Sequence, residues 1–108
     1  MNIQKLIEIL MELRRSSFEL RKNPTEVSLK ALMKKYNMLF LGEDFNTIYS
    51  NELAHSINTV FNIPVSNDEI NKLIPIACKM LNMDCESMVN VSDVSMANPP
   101  VACYQITL

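Results

Sequence analysis

The first 22 residues carry the feature that most constrains the fold, an uninterrupted helical periodicity. Aliphatic residues recur there at spacings of three and four, and no proline or glycine occurs before Pro24. This spacing places apolar side chains on one face of an α-helix. The sequence therefore predicts one long helix over residues 2–22, with apolar positions at Ile3, Leu6, Ile7, Leu10, Leu13 and Leu20.

Helix-start signals and a change of pattern define the next two elements. Asn23 supplies a capping side chain, Pro24 suits the first helical position and Glu26 the third, which predicts a second helix over residues 24–36. Residues 38–41 are apolar but too few for a helix, and they end at Gly42. They are predicted to form a short buried strand or an extended segment that crosses the core, followed by a turn.

Two more apolar stripes predict a third helix over residues 45–62 and a fourth over residues 67–81. After Asp84 the periodicity changes from helical to two, as in strands. One such run contains Val89 and Val91, and a second contains Ala102, Tyr104, Ile106 and Leu108. We expect these runs to pair as a β-hairpin.

The predicted fold class is α+β and mainly α, in a single domain over residues 1–108. Its N-terminal helical arm covers residues 1–22, and its body, residues 24–108, closes with the β-hairpin. The single glycine excludes glycine-rich phosphate loops, which need several residues without Cβ. We therefore expect no nucleotide cofactor held by such a loop. No other cofactor is predicted.

The cysteines and the charges indicate a cytoplasmic protein without a membrane anchor. The three cysteines are odd in number and dispersed, unlike the dense even set of a disulfide-stapled secreted domain. Charged residues interrupt the first helix, so it resembles neither a signal peptide nor a membrane span. Residues 1–36 contain eight Lys/Arg and four Asp/Glu, whereas residues 37–108 contain two and eight. This asymmetry suits a phosphate-binding face, an acidic partner or self-association.

The element order of residues 24–108 resembles that of winged helix-turn-helix domains. The local features of this resemblance are Glu52-Leu53-Ala54 in the third helix and Ile63-Pro64-Val65-Ser66 at the turn into the fourth. The resemblance implies that residues 66–81 occupy the recognition-helix position and that Ser95–Pro100 form the wing. DNA binding is the activity that usually accompanies this family.

Two departures from that pattern favour a protein partner over DNA. The recognition-helix position opens with Asp68 and Glu69, and the wing contains no Lys or Arg. Phosphate contacts dominate nucleic-acid affinity, so carboxylates at the helix start oppose docking there. The leading hypothesis is a non-enzymatic regulatory or adaptor protein acting through protein contacts, and the alternative is a winged-helix DNA-binding regulator. Residues for possible nucleic-acid contact are Arg15, Lys22, Lys34, Lys35, Asn67, Asn71 and Lys72.

No catalytic or metal site is predicted. His55, Cys78, Cys85 and Cys103 have the residue types of a zinc site, but they lack the close pairs that zinc sites usually show. Cys78 falls on the apolar stripe of the fourth helix, as a small buried hydrophobe would. His55 is predicted to face solvent, and no acid–base pair activates a nucleophile.

The proposed partner-binding residues lie on the first helix, where the apolar stripe becomes Arg14, Phe18 and Arg21. Guanidinium groups flanking a ring can bind phosphates or acidic side chains, although long arginine stems also simply cover a core. We expect these charges to be dispensable for folding. The length of the apolar stripe also predicts a homodimer formed by helix pairing, because one small domain covers limited apolar surface.

Overall fold

The computed structural model describes residues 1–108 and contains four α-helices and three β-strands. A short 3₁₀ helix, Val91–Asp93, lies between β2 and β3. The fold class is α+β and mainly α, as predicted. In chain order the elements are α1 (Ile3–Lys22), α2 (Glu26–Tyr36), β1 (Thr47–Tyr49), α3 (Ser50–Thr59), α4 (Asn67–Leu81), β2 (Asp84–Met88) and β3 (Cys103–Thr107).

Helix α1 packs against α4 and α2 and is part of the main hydrophobic core. Leu6, Leu10 and Leu13 are fully buried within the single chain. The reason given above for a homodimer is therefore wrong, because this apolar face is already covered and is not available for helix pairing. The oligomeric state itself stays a prediction.

The three strands form an antiparallel sheet in the order β1-β3-β2. Thr107 of β3 lies opposite Thr47 on one side and opposite Asp84 on the other. The predicted pairing of the two C-terminal strands is confirmed, but β1 adds a third strand. The first C-terminal strand was predicted too late in the chain, since Val91 lies in the 3₁₀ helix rather than in β2.

Between α2 and α3 the structure differs from the prediction, which placed a short strand or extended segment at residues 38–41 and the start of a helix at residue 45. Met38 and Phe40 are buried in an extended segment, which is the second of the two predicted alternatives. The strand follows later, and Leu41 contributes only an isolated bridge to Thr47. Phe45 has a φ of 53°, which excludes it from a helix, so α3 begins at Ser50 rather than at 45.

The turn at Gly42 is confirmed, and it requires glycine. The φ of Gly42 is 82°, and a Cβ atom there would lie 2.9 Å from Thr47 Oγ1. Helix α2 is capped differently from the prediction. Thr25 Oγ1 accepts from the Ser28 amide at 3.0 Å and Ser28 Oγ accepts from the Thr25 amide at 2.9 Å, so Pro24 precedes the cap.

Helix α4 matches its predicted bounds and carries Pro75 in its interior. Ser66 Oγ accepts from the backbone amide of Glu69 at 3.1 Å and so caps the first turn. At the other end Asn82 adopts the left-handed conformation, which reverses the chain into β2. This reversal brings the end of α4 next to the sheet and to α1.

Candidate protein-contact site

Arg14 of the predicted partner-binding set makes a structural contact. Its Nη2 atom donates to the carbonyl oxygen of Leu81, the last residue of α4, at 2.7 Å. The final carbonyls of a helix lack intrahelical donors and carry partial negative charge, so a guanidinium is well suited to that position. Arg14 therefore joins α1 to the C-terminal end of α4, and only part of it remains for a partner.

Phe18 is the exposed residue of the predicted set, and the partly buried Arg21 packs against it. Half of the Phe18 side chain is exposed, and the Arg21 guanidinium carbon lies 4.1 Å from the centre of its ring. This is a cation–π arrangement, in which the guanidinium lies over the negative face of the ring. Arg21 Nε is covered and has no hydrogen-bond partner. The pair offers an aromatic surface edged by one positive charge.

Arg14 and Phe18 also line an open groove of about 400 Å³, whereas Arg21 lies outside it. The opposite wall is the α4–β2 turn and the end of β3, including the exposed carboxylate of Asp84. The groove therefore contains both signs of charge rather than a purely cationic surface. Its other lining residues are Leu81, Asn82, Met83, Thr107 and Leu108.

The predicted nucleic-acid contacts are distributed over several surfaces. Arg15 and Lys35 line one groove between α1 and α2, together with Glu19. Lys22 Nζ lies 3.2 Å from the Glu19 carboxylate, which offsets its charge. The other exposed candidates lie elsewhere: Lys34 beside Glu52, Asn67 at the start of α4, and Lys72 further along α4.

Asn71 differs from the rest of that set because its side chain forms hydrogen bonds to distant parts of the fold. Its Oδ1 accepts from Ser50 Oγ at 2.8 Å, and its Nδ2 donates to the carbonyl of Ala102 at 3.3 Å. Ser50 Oγ in turn accepts from the backbone amide of Tyr104 at 2.8 Å. This network fastens β3 to α3 and α4. Asn71 therefore has few donors left for a base edge.

The cysteines and the histidine do not form a common site. Cys78 is buried, and burial raises the pKa of its thiol to about 12, with the neighbouring Cys85 raising it as well. Burial also raises the pKa of the Cys103 thiol. His55 is exposed, as predicted, and its Nε2 atom lies 3.0 Å from Asn37 Nδ2. No three His, Cys, Asp or Glu side chains are grouped closely enough to hold a metal ion.

Several apolar residues on α4 and around the β2–β3 loop are exposed, and the sequence reasoning considered a binding surface only for the methionines among them, with core filling as the default interpretation. Ile76 and Met80 on α4 are 52% and 64% exposed. Both lie outside the apolar stripe that predicted this helix. Apolar residues outside the stripe were the sequence signal that could have identified this exposed surface. A second group lies near the β2–β3 loop, Val89–Ala102, and consists of Met88, Val91, Val94, Met96 and Val101.

Comparison with protein-family models, with curated proteins and with solved structures finds no match to this chain. None of its helices combines the length and the hydropathy needed to span a bilayer. The likeness to winged helix-turn-helix domains therefore rests on element order alone.

Proposed function

We propose that this protein is a small non-enzymatic regulatory or adaptor protein that acts through contacts with other proteins. The observation that carries the proposal is the exposed apolar surface of α4, the helix that the winged-helix resemblance would assign to the recognition position. Ile76 and Met80 are four residues apart and therefore neighbours on this helix. The apolar pair suits a protein partner, although the exposed Lys72 and Lys79 lie beside Ile76 on the same helix. A helix that reads DNA presents donors and cations to the nucleic acid, whereas the first turn of α4 contains Asp68 and Glu69.

The pair of Phe18 and Arg21 is the second part of the proposed contact surface. Aromatic and arginine side chains are enriched among residues that dominate protein interfaces. Phe18 offers the apolar area, and Arg21 offers charge for an acidic group of the partner. Arg14 contributes mainly by holding α1 in place.

A DNA-binding winged-helix regulator is the second candidate. It is favoured by Arg15 and Lys35, which line the same groove between α1 and α2. In this alternative, the basic N-terminal third contacts phosphates and affinity falls steeply with salt. The sheet order β1-β3-β2 and the succession of α3 and α4 are compatible with either candidate.

The experiment is affinity capture from cells that express the protein, with and without nuclease. We expect captured proteins to survive nuclease and to be lost with Ile76→Ser combined with Met80→Ser. Met11→Ser, at an exposed position of α1, is the matched control and should retain them. Capture that disappears with nuclease, with salt-dependent binding to arbitrary duplex DNA, would instead support the regulator.

The proposal includes the cytoplasmic location and the homodimer predicted from the sequence. The dispersed free cysteines support a reducing compartment. Sedimentation velocity at micromolar concentration measures the oligomeric state directly, because the mass of a dimer is twice that of the chain.

A further inference from the structure

The β2–β3 loop presents a group of aliphatic side chains to solvent. Val91 is 87% exposed and Val94 is 61% exposed, and Met96 follows two residues later with half of its surface free. Met88 and Val101 add partly exposed apolar surface where the loop joins β2 and β3. Apolar residues that are exposed together, rather than singly, commonly mark interaction sites.

Backbone hydrogen bonds hold the loop in a defined shape. The amide of Asp93 donates to Asn90 O at 2.9 Å, and the amide of Met96 donates to Asp93 O at 3.0 Å. Residues three apart lie on the same side of a 3₁₀ turn. Val91 and Val94 therefore project together from the turn, as one small apolar surface.

The chain segment that carries this surface contains carboxylates and no cationic residue. No Lys, Arg or His occurs from Met80 to Leu108, whereas Asp84, Glu86 and Asp93 all lie in that stretch. Asp84 and Glu86 are exposed on β2, an outer strand of the sheet. None of the three carboxylates makes an ion pair within the protein. Asp84 shares its groove with the Arg14 guanidinium, whereas Glu86 and Asp93 have no cation partner within the protein.

We propose that the β2–β3 loop and the adjoining β2 strand bind a segment of a partner protein that carries Lys or Arg beside aliphatic residues. This inference rests on the proposed function and specifies the chemistry of the partner. Aliphatic residues of the segment cover Val91 and Val94, and its cations face Glu86 on β2 and Asp93 between the two valines. Complementary charge supplies orientation and specificity, and the apolar contact supplies most of the affinity.

The same charges argue against the other occupants. Phosphates of nucleic acids and anionic lipid headgroups have the same sign as the carboxylates, so both are repelled. A symmetric contact between two copies of the loop would bring identical carboxylates together, which is unfavourable. A basic protein segment is the occupant that satisfies both the apolar surface and its charge.

The test is selection from a library of random short peptides displayed on phage, followed by affinity measurement with the selected peptides. We expect Lys or Arg to be enriched next to Val, Leu, Ile or Met. Val91→Ser combined with Val94→Ser should weaken binding at least about tenfold. Glu86→Gln and Asp93→Asn together should weaken binding and reduce its salt dependence. Val27→Ser, at a position of α2 that is 79% exposed, is the matched control and should bind normally.

Several outcomes would overturn this inference. Failure to select any peptide, enrichment of acidic or uncharged peptides, or binding unchanged by the Val91 and Val94 substitutions each contradict it. Binding of anionic phospholipid vesicles or duplex DNA that depends on these valines would identify a different occupant. A change of sedimentation mass in the valine variant would assign the loop to self-contact. If a cellular protein partner is captured but ignores these substitutions, the proposed function stands and only this inference fails.

Discussion

The Nη2 atom of Arg14 lies 2.7 Å from the carbonyl oxygen of Leu81, so that a side chain of α1 caps the C-terminal end of α4. The two residues are far apart in the sequence, and the contact depends on where α4 ends. Arg14, which the sequence analysis assigned to partner binding, therefore has a structural role. The consequences of this bond and of three other contacts can be measured.

Arg14→Ala should lower the free energy of unfolding by about 2 kcal/mol, because it removes a charge-assisted hydrogen bond and a favourable charge at a helix C-terminus. Arg15→Ala is the control, since its side chain is exposed and should change stability by no more than about 0.5 kcal/mol. Urea unfolding monitored by circular dichroism measures both. Equal stability of the two variants would show that the bond contributes nothing.

Asn71→Ala should destabilise the protein by about 1–3 kcal/mol, because it leaves the O–H of the buried Ser50 without an acceptor and removes the Asn71 donor to the Ala102 carbonyl. Asn67→Ala, at the exposed start of the same helix, should have a small effect. Amide hydrogen exchange provides a second measurement, since protection of Tyr104 should fall in the Asn71 variant. Unaltered protection of that amide would contradict the network.

Leu10→Glu should prevent folding, since an unpaired carboxylate would enter a fully buried position in the core. Met11→Glu, at the next residue, should be tolerated because Met11 is exposed. Circular dichroism and sedimentation of the two variants distinguish core packing from helix pairing. A folded monomer in place of a dimer after Leu10→Glu would restore the helix-pairing interpretation.

Cys78 should be alkylated more slowly than Cys85 when the native protein is treated with iodoacetamide at pH 8. Burial raises the pKa of the Cys78 thiol to about 12, so almost none of the reactive thiolate is present. Mass spectrometry of peptides from partly labelled protein gives the order of modification. Equal rates for both thiols in the folded state would contradict this assignment.

The same pKa shift predicts a pH dependence of stability. The ordinary value for the thiol is 9.0, so between about pH 9 and pH 12 an unfolded chain loses the Cys78 proton while the folded chain retains it. The unfolded state then binds fewer protons, and stability falls as pH rises through this window. Below pH 9 the contribution is fully present. Cys78→Ala should have a shallower alkaline slope than the unaltered protein.

The helices were largely predictable because their apolar spacing is a local property. The bounds of α1 and α4 follow from periodicity and from the capping residues beside them. The position of β1 was not predictable in this way. Thr47–Tyr49 form a strand because β3 lies beside them, whereas the apolar residues before Gly42 make only the single Leu41–Thr47 bridge. Nonlocal pairing overrode local apolar character there.

The candidate sites were predicted less completely for the same reason. The exposure of Phe18 and its contact with Arg21 follow from neighbouring positions on one helix, so sequence reasoning was able to find them. The structural parts of Arg14 and Asn71 depend on tertiary contacts that no spacing reveals. Val91 was assigned to a strand from alternation alone. Its real position in an exposed turn depends on where β2 stops pairing with β3.

The central position of β3 sets an order of events during synthesis. Both β1 and β2 find their strand partner only in β3, which is the last of the elements to be made. The contacts of α1 with α2 and α4 are available earlier, so a helical intermediate can assemble on the ribosome while the two outer strands remain unpaired. Sheet formation, and with it the final shape of the β2–β3 loop, must wait until residues 103–107 have emerged.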